Sequence, residues 1–380
     1  MTAEILLPEG YSPGLEGVIA SISAISKVDP AGDELIYYGY KVSQLCEQSN
    51  FEEVSYLLLY GKLPTQKEFS EFKKKMLAER AVDKKILDYL CGMPEKAHTM
   101  DILRSGVSLM AHFDLQCEDN LRDAEVAKSI RLIAKMPTLL AARIRALKGQ
   151  KPIAPNDNLG HAANFLYMVD GKEPDADFAK ALDVSLICYA EHGLNASTFA
   201  ARVAASTLAD MHSCITGAVG TLKGPLHGGA NEHAMHMLLE IGEAAKAEGF
   251  IKEKLKAKAK IMGFGHRVYK KKDSRAPIVK AWGWKMAKKL KNTKWNEIAD
   301  IVEKTMMDEK KLFPNVDFPA ATLYYLLGLP IEADTPLFVV ARMPGWCAHV
   351  MEQRIGNRLL RPESFYTGPE SRDYIPISKR

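Results

Sequence analysis

Two histidines and one aspartate stand in surroundings that suit proton transfer. His227 lies in Gly224-Pro225-Leu226-His227-Gly228-Gly229-Ala230-Asn231, between helix breakers and just ahead of a helix expected to start near Asn231. Glycines let the backbone come close to a ligand, and a helix N-terminus disfavours imidazolium, so this segment predicts a neutral, hydrogen-bond-donating imidazole. The same placement also suits a histidine that only caps the helix. His266 follows Met262-Gly263-Phe264-Gly265 and precedes Arg267 and Lys270-Lys271-Lys272. The third glycine of a dinucleotide fingerprint is missing and no strand precedes the run. Glycine amides, Arg267 and the lysines could still meet phosphates, or the lysines could form a solvated face. Asp317 sits in Phe313-Pro314-Asn315-Val316-Asp317-Phe318-Pro319-Ala320, among apolar residues and directly before a helix. Such a carboxylate either caps the helix or, partly desolvated, serves as a general base.

Two further segments place arginines among apolar residues, Ala341-Arg342-Met343-Pro344-Gly345-Trp346-Cys347-Ala348-His349 and Arg361-Pro362-Glu363-Ser364-Phe365-Tyr366-Thr367-Gly368. An arginine buried in an apolar helix is costly unless it meets an anion, so Arg342 calls for an internal carboxylate or a ligand. His192 stands in Glu191-His192-Gly193-Leu194-Asn195-Ala196-Ser197-Thr198, where Asn195 is placed to cap the next helix. A zinc site at His227, His233 and His236 lacks an H-E-x-x-H pattern or a cysteine pair to complete it, and no metal is expected.

These residues must be carried by helices. Apolar positions recur at helical spacing from Val42 through Phe51 to Tyr60, then over 67–80, 99–113, 121–148, 174–191, 196–222, 231–247, 275–292, 295–310 and 319–327. A last long helix is expected from Leu337 to Arg354, with Thr335 as N-cap, Pro336 at its first position and a kink at Pro344-Gly345. Strand signals are confined to a short hairpin near Glu34 to Tyr40, so the fold class is all-α. The glycine-rich turn at 224–229 and Gly328-Leu329-Pro330 mark the edges of an inserted domain. A large body of 1–223 plus 330–380 and a small body of 224–329 would then hold a site in the cleft between them. The 380 residues, 47% of them apolar, suffice for about two or three domains. A net charge of +4, spread along the chain, argues against a general nucleic-acid binder. Six scattered cysteines without a C-x-x-C pair suit a reducing cytoplasm. No secretory signal or membrane-spanning run is read.

Taken together and in this order, the segments resemble the citrate synthase family from about Leu15 to Arg380. Phe51-Glu52-Glu53-Val54 and Gly61-Lys62-Leu63-Pro64-Thr65 are also similar to it. Tyr38, Ser274 and Pro319-Ala320 depart from the family's usual arginine, proline and aromatic-serine pair. The resemblance implies a two-domain helical fold and a condensation of acetyl-CoA with oxaloacetate to citrate and CoA. Propionyl-CoA, giving 2-methylcitrate, is the alternative, because one methylene discriminates by only about 1–3 kcal/mol. A non-catalytic helical scaffold is a remote reading, since all three reactive side chains are present. By resemblance Asp317 removes the methyl proton, His227 donates to the thioester oxygen and His266 polarises the ketone. His192, Arg275, Arg342 and Arg361 hold oxaloacetate, with Arg361 supplied across a homodimer interface, in a dimer or a dimer-built hexamer. Lys260, Ile261, Met262, Gly263 and Phe264 embrace CoA, a cosubstrate, and no cofactor is permanently bound.

Overall fold

The computed structural model describes residues 9–28, 34–265, 269, 272–369 and 371–380. Among them one small antiparallel sheet precedes sixteen α-helices, the all-α architecture expected. The sheet has β1 (Ser26–Val28), β2 (Leu35–Tyr37) and β3 (Tyr40–Lys41) in that order, with Ser26 opposite Tyr37 and Ile36 opposite Lys41. The expected hairpin is β2–β3, and β1 adds a strand that the periodicity did not show.

The helices are α1 (Val42–Gln48), α2 (Phe51–Tyr60), α3 (Gln66–Ala78), α4 (Lys84–Cys91), α5 (Thr99–Ala111), α6 (Arg122–Leu147), α7 (His161–Asp170) and α8 (Ala176–Tyr189). They continue as α9 (Ala196–Ser206), α10 (Met211–Leu222), α11 (Ala230–Ile241), α12 (Ala244–Lys256), α13 (Ala276–Lys289), α14 (Lys294–Lys310), α15 (Asp317–Leu326) and α16 (Asp334–Arg354). Side-chain caps set several starts. Asn50 accepts from the Glu53 amide at 2.9 Å, and Thr65 with Glu68 forms a capping box ahead of α3.

The structure breaks two of the expected helices. The stretch 196–222 is α9 and α10, divided at Leu208, whose φ is +67°, and restarted by Asp210, which accepts from the Ser213 amide at 3.0 Å. The stretch 231–247 ends early at Gly242, with φ +68°, and α12 takes over. Helices α4 and α7 were not expected at all. The final helix begins at Asp334, so Thr335 lies inside its first turn and does not cap it. Pro344 sits within α16, which runs on to Arg354 without a break.

Two apolar cores hold these elements. The larger is built from α1–α10 and α16, with the fully buried Trp346 of α16 at its centre. The smaller gathers Ala234 and Leu238 of α11, Ile251 of α12, Ile298 and Val302 of α14, and Phe318 and Ala321 of α15. Helix α15 serves both, since Ala320 and Leu323 join the larger core, and α13 joins it through Val279 and Met286. Gly345 lets α16 lie hard against the end of α8. A Cβ there would strike the Ala190 carbonyl and stand 2.6 Å from Glu191 Oε2.

Candidate active site

A cleft of about 1500 Å³ lies where these elements meet, and it is lined by His192, His227, Arg275, Asp317 and Arg342 together with all of Lys260–Phe264. Segments more than a hundred residues apart in sequence thus converge on one space. Helix α8 ends at Tyr189, and the turn that follows carries Glu191 and His192 into α9. Asn195 caps α9 as expected, its Oδ1 accepting from the Thr198 amide at 3.1 Å.

His227 lies in the loop between α10 and α11. Its Nε2 is 2.8 Å from Ser197 Oγ and accepts from the Ser197 amide at 3.3 Å. An amide can only donate, which favours the lone pair on Nε2 and the ring proton on Nδ1, while the Ser197 hydroxyl donates to Asn195 Oδ1 at 2.8 Å. Trp346 Nε1 donates to Ser197 Oγ at 3.2 Å and fixes that hydroxyl in turn. Burial, reinforced by the Arg342 charge, holds the His227 pKa down at about 4. Desolvation and the neighbouring cation thus favour the neutral imidazole.

Asp317 is the first residue of α15, and its side chain does not cap that helix. Its Oδ1 instead accepts from the Tyr189 hydroxyl at 2.7 Å. Burial raises its pKa above the usual carboxylate range, against the opposing pull of Tyr189 and Arg275. The loop ahead of it is zipped to the 263–265 segment. The Asn315 amide donates to the Gly263 carbonyl at 2.9 Å, the Gly265 amide to the Phe313 carbonyl at 3.0 Å, and Asn315 Nδ2 to the Gly265 carbonyl at 3.1 Å. Gly263 has φ +83°, and a Cβ on it would lie 2.9 Å from that of Phe318. The glycine is therefore required for packing on α15, and it also lines the cleft.

Arg275 is buried and gripped by Asp273, Nε to Oδ1 at 2.9 Å and Nη2 to Oδ2 at 2.8 Å. Asp273 also accepts from the Val316 amide at 3.0 Å, which couples the arginine to the Asp317 loop. Arg342 is 2% exposed, donates Nε to the Tyr189 carbonyl at 2.6 Å and lies 4.7 Å over the Phe338 ring. Among the described residues no carboxylate forms a salt bridge with it. A buried guanidinium in that condition wants an anion. His192 Nε2 is 3.2 Å from the Tyr269 hydroxyl. Beneath the cleft, the fully buried Glu191 accepts from Ser26 Oγ at 2.9 Å and lies 3.0 Å from His349 Nε2. Burial pushes that carboxyl up, yet His349 and Arg342 outweigh it and keep Glu191 ionised.

Arg361 is exposed on the extended tail after α16 and does not line the cleft of its own chain. His266, Arg267, Lys270 and Lys271 lie outside the described residues. His233 Nδ1 stands 2.6 Å from the Gly229 carbonyl, and among the described residues it bonds to none that lines the cleft. Sequence reasoning missed Tyr189, Ser197 and Phe338. Tyr189 and Phe338 read as ordinary core positions, and only the hydroxyl of Ser197, two places after the Asn195 cap, offered a signal.

The family model for the C-terminal domain of citrate synthase matches residues 14–363. A protein of Bacillus subtilis named citrate synthase 2 is 45% identical over 97% of this chain and 98% of its own. A 2-methylcitrate synthase of Mycobacterium tuberculosis is 44% identical over 94% of this chain and 91% of its own. The citrate synthase of Thermoplasma acidophilum, solved as a ternary complex with carboxymethyl coenzyme A and oxaloacetate, superposes with a TM-score of 0.93 at 32% identity, covering 98% of this chain and all of that one. The chain belongs to the citrate synthase family. It is an acyltransferase of the kind that turns the acyl group into an alkyl group on transfer.

Proposed function

We propose that the cleft joins acetyl-CoA to oxaloacetate and hydrolyses the resulting citryl thioester to citrate and CoA. Asp317 takes a proton from the acetyl methyl group while the Nδ1–H of His227 donates to the thioester oxygen. The two must act together. Even a carboxylate raised above its ordinary pKa of about 3.9 is too weak to form an enolate unless the oxyanion is stabilised at the same moment. His266 polarises the oxaloacetate ketone, and the enolate carbon attacks it. His192, Arg275 and Arg342 hold the substrate carboxylates, and Asp273 orients Arg275 so that Nη1 is left for one of them. Lys260, Ile261, Met262, Gly263 and Phe264 take the coenzyme on the same wall that carries Asp317. No permanently bound cofactor enters the reaction.

Arg361 reaches the cleft of a second copy in a homodimer. The tail that carries it exposes Ile355, Leu359, Phe365 and Tyr366, apolar surface suited to another chain. The small body, 224–329, closes on the large body of 1–223 and 330–380 and keeps water from the enolate. The enzyme works in the cytoplasm. Among the described residues no helix is long and apolar enough to cross a membrane.

The observation that carries this reading is a neutral His227, a buried Asp317 and an arginine without a carboxylate partner on one cleft. Phe338 packs on Tyr189 at 4.7 Å, lies 6.3 Å from His227 and lines the same cleft. Oxaloacetate-dependent release of CoA thiol, with the two thioesters compared at equal concentration, tests it. Faster turnover of acetyl-CoA is expected. Faster turnover of propionyl-CoA would reassign the substrate, and release with neither would reject the reaction.

A further inference from the structure

Cys117, Asp210 and His212 take no part in the chemistry above, yet each offers a ligand atom and these atoms lie within 4.8 Å of one another. Cys117 comes from the turn between α5 and α6, and the other two from the start of α10. The turns are held in register before any ligand arrives. Asn120 Nδ2 donates to the Leu208 carbonyl at 2.9 Å, and Lys128 Nζ donates to the carbonyls of Cys117 and Asp119 at 2.9 and 2.6 Å.

His212 supplies the second observation. It is 2% exposed, its Nδ1 has no hydrogen-bond partner, and that atom lies 3.8 Å from Asp210 Oδ1. On the other side Nε2 is 3.6 Å from Asp114 Oδ2, again too far for a hydrogen bond. A buried ring nitrogen that neither donates nor accepts is costly and calls for an explanation.

We propose that Cys117, Asp210 and His212 bind a divalent transition-metal cation of the zinc class, with water completing a tetrahedron. Thiolate, imidazole and carboxylate are the donor set that zinc prefers, and bond lengths of about 2.0–2.3 Å require each side chain to swing inward by about 1 Å or less. The entering cation displaces one proton from the Cys117 thiol to solvent and forms the metal–sulfur bond. Thiolate and carboxylate then neutralise its two charges. Asp210 already accepts from the amide and hydroxyl of Ser213, and a carboxylate has lone pairs to spare for the metal. Asp114, held by Arg131 through two bonds of 2.8 Å, lies on the Nε2 side of the ring and leaves Nδ1 to face Asp210. Cys117 and Asp210 are only half-buried, which leaves a way in. The eleven residues of α9 separate this site from the cleft by about 16 Å, so the cation ties two turns together and stays out of the reaction.

Protein stripped with a chelator is titrated with Co²⁺ and then Zn²⁺. One cobalt per chain with thiolate-to-cobalt charge-transfer absorption, displaced by zinc, is expected. Cys117→Ser removes that absorption and weakens zinc binding by about tenfold or more, at least the loss seen when a supporting residue is removed. His212→Asn behaves likewise, and Cys91→Ser leaves binding intact. Zinc raises the thermal midpoint of the wild type but not of Cys117→Ser, whose turnover is unchanged. Absence of stoichiometric binding, or binding that Cys117→Ser leaves untouched, overturns the proposal.

Discussion

Replacing Tyr189 by phenylalanine removes one hydroxyl and keeps the ring that packs on Phe338. In the wild type that hydroxyl donates to Asp317 Oδ1 at 2.7 Å, against the burial that pushes the carboxyl up. A hydrogen bond to an ionised carboxylate is worth about 1.5–3 kcal/mol, and one pKa unit corresponds to about 1.4 kcal/mol. Its loss therefore raises the Asp317 pKa by about one to two units. A base acts in its ionised form, so the acidic limb of kcat/KM against pH moves upward by the same one to two units. Stopped assays of CoA release across the pH range read this directly. Above both limbs Asp317 is ionised in either protein, and turnover returns toward wild type. An acidic limb that stays in place with turnover intact would refute the idea that Tyr189 tunes the base.

Ser197→Ala removes the hydroxyl 2.8 Å from His227 Nε2 and leaves the amide in place, so kcat falls by about tenfold while the oxaloacetate KM holds. A steep rise in that KM with kcat unchanged would contradict the tautomer argument. Arg342→Ala weakens oxaloacetate binding steeply, as measured by calorimetry, and an unchanged affinity would remove Arg342 from the site. Burial holds His161 at about 3 and His227 at about 4, below the unfolded value of about 6.5. Between these limits the unfolded chain binds protons that the folded one does not, so stability falls as pH drops from about 6.5 toward 4. Urea midpoints should show this slope, and His161→Gln should flatten it; an identical slope in the variant would contradict the assignment.

Much of this was legible because reactive residues sat beside glycines, prolines and caps that mark chain turns. The helical class followed from apolar spacing, and Asn195 was readable as a cap from its position alone. That Asp317 does not cap α15 was not readable, because an acidic residue before a helix looks like a cap until Tyr189, 128 positions earlier, is seen donating to it. The break at Leu208 was hidden for a similar reason. Thr207, Leu208 and Ala209 are compatible with a helix, and the turn is held by Asn120 from another part of the chain. The packing demand on Gly263 was also hidden, since Phe318, whose side chain leaves no room for a Cβ there, lies 55 positions later. The pairing of Glu191 with His349 across 158 positions, and the gathering of Cys117 with His212, likewise exist only once the helices pack.

The central claim is that Asp317 removes the proton that starts the reaction, and Asp317→Ala tests it with two readouts on one sample. Oxaloacetate-dependent release of CoA should vanish while calorimetric oxaloacetate binding stays near the wild-type value. Turnover close to wild type in that variant would contradict the account.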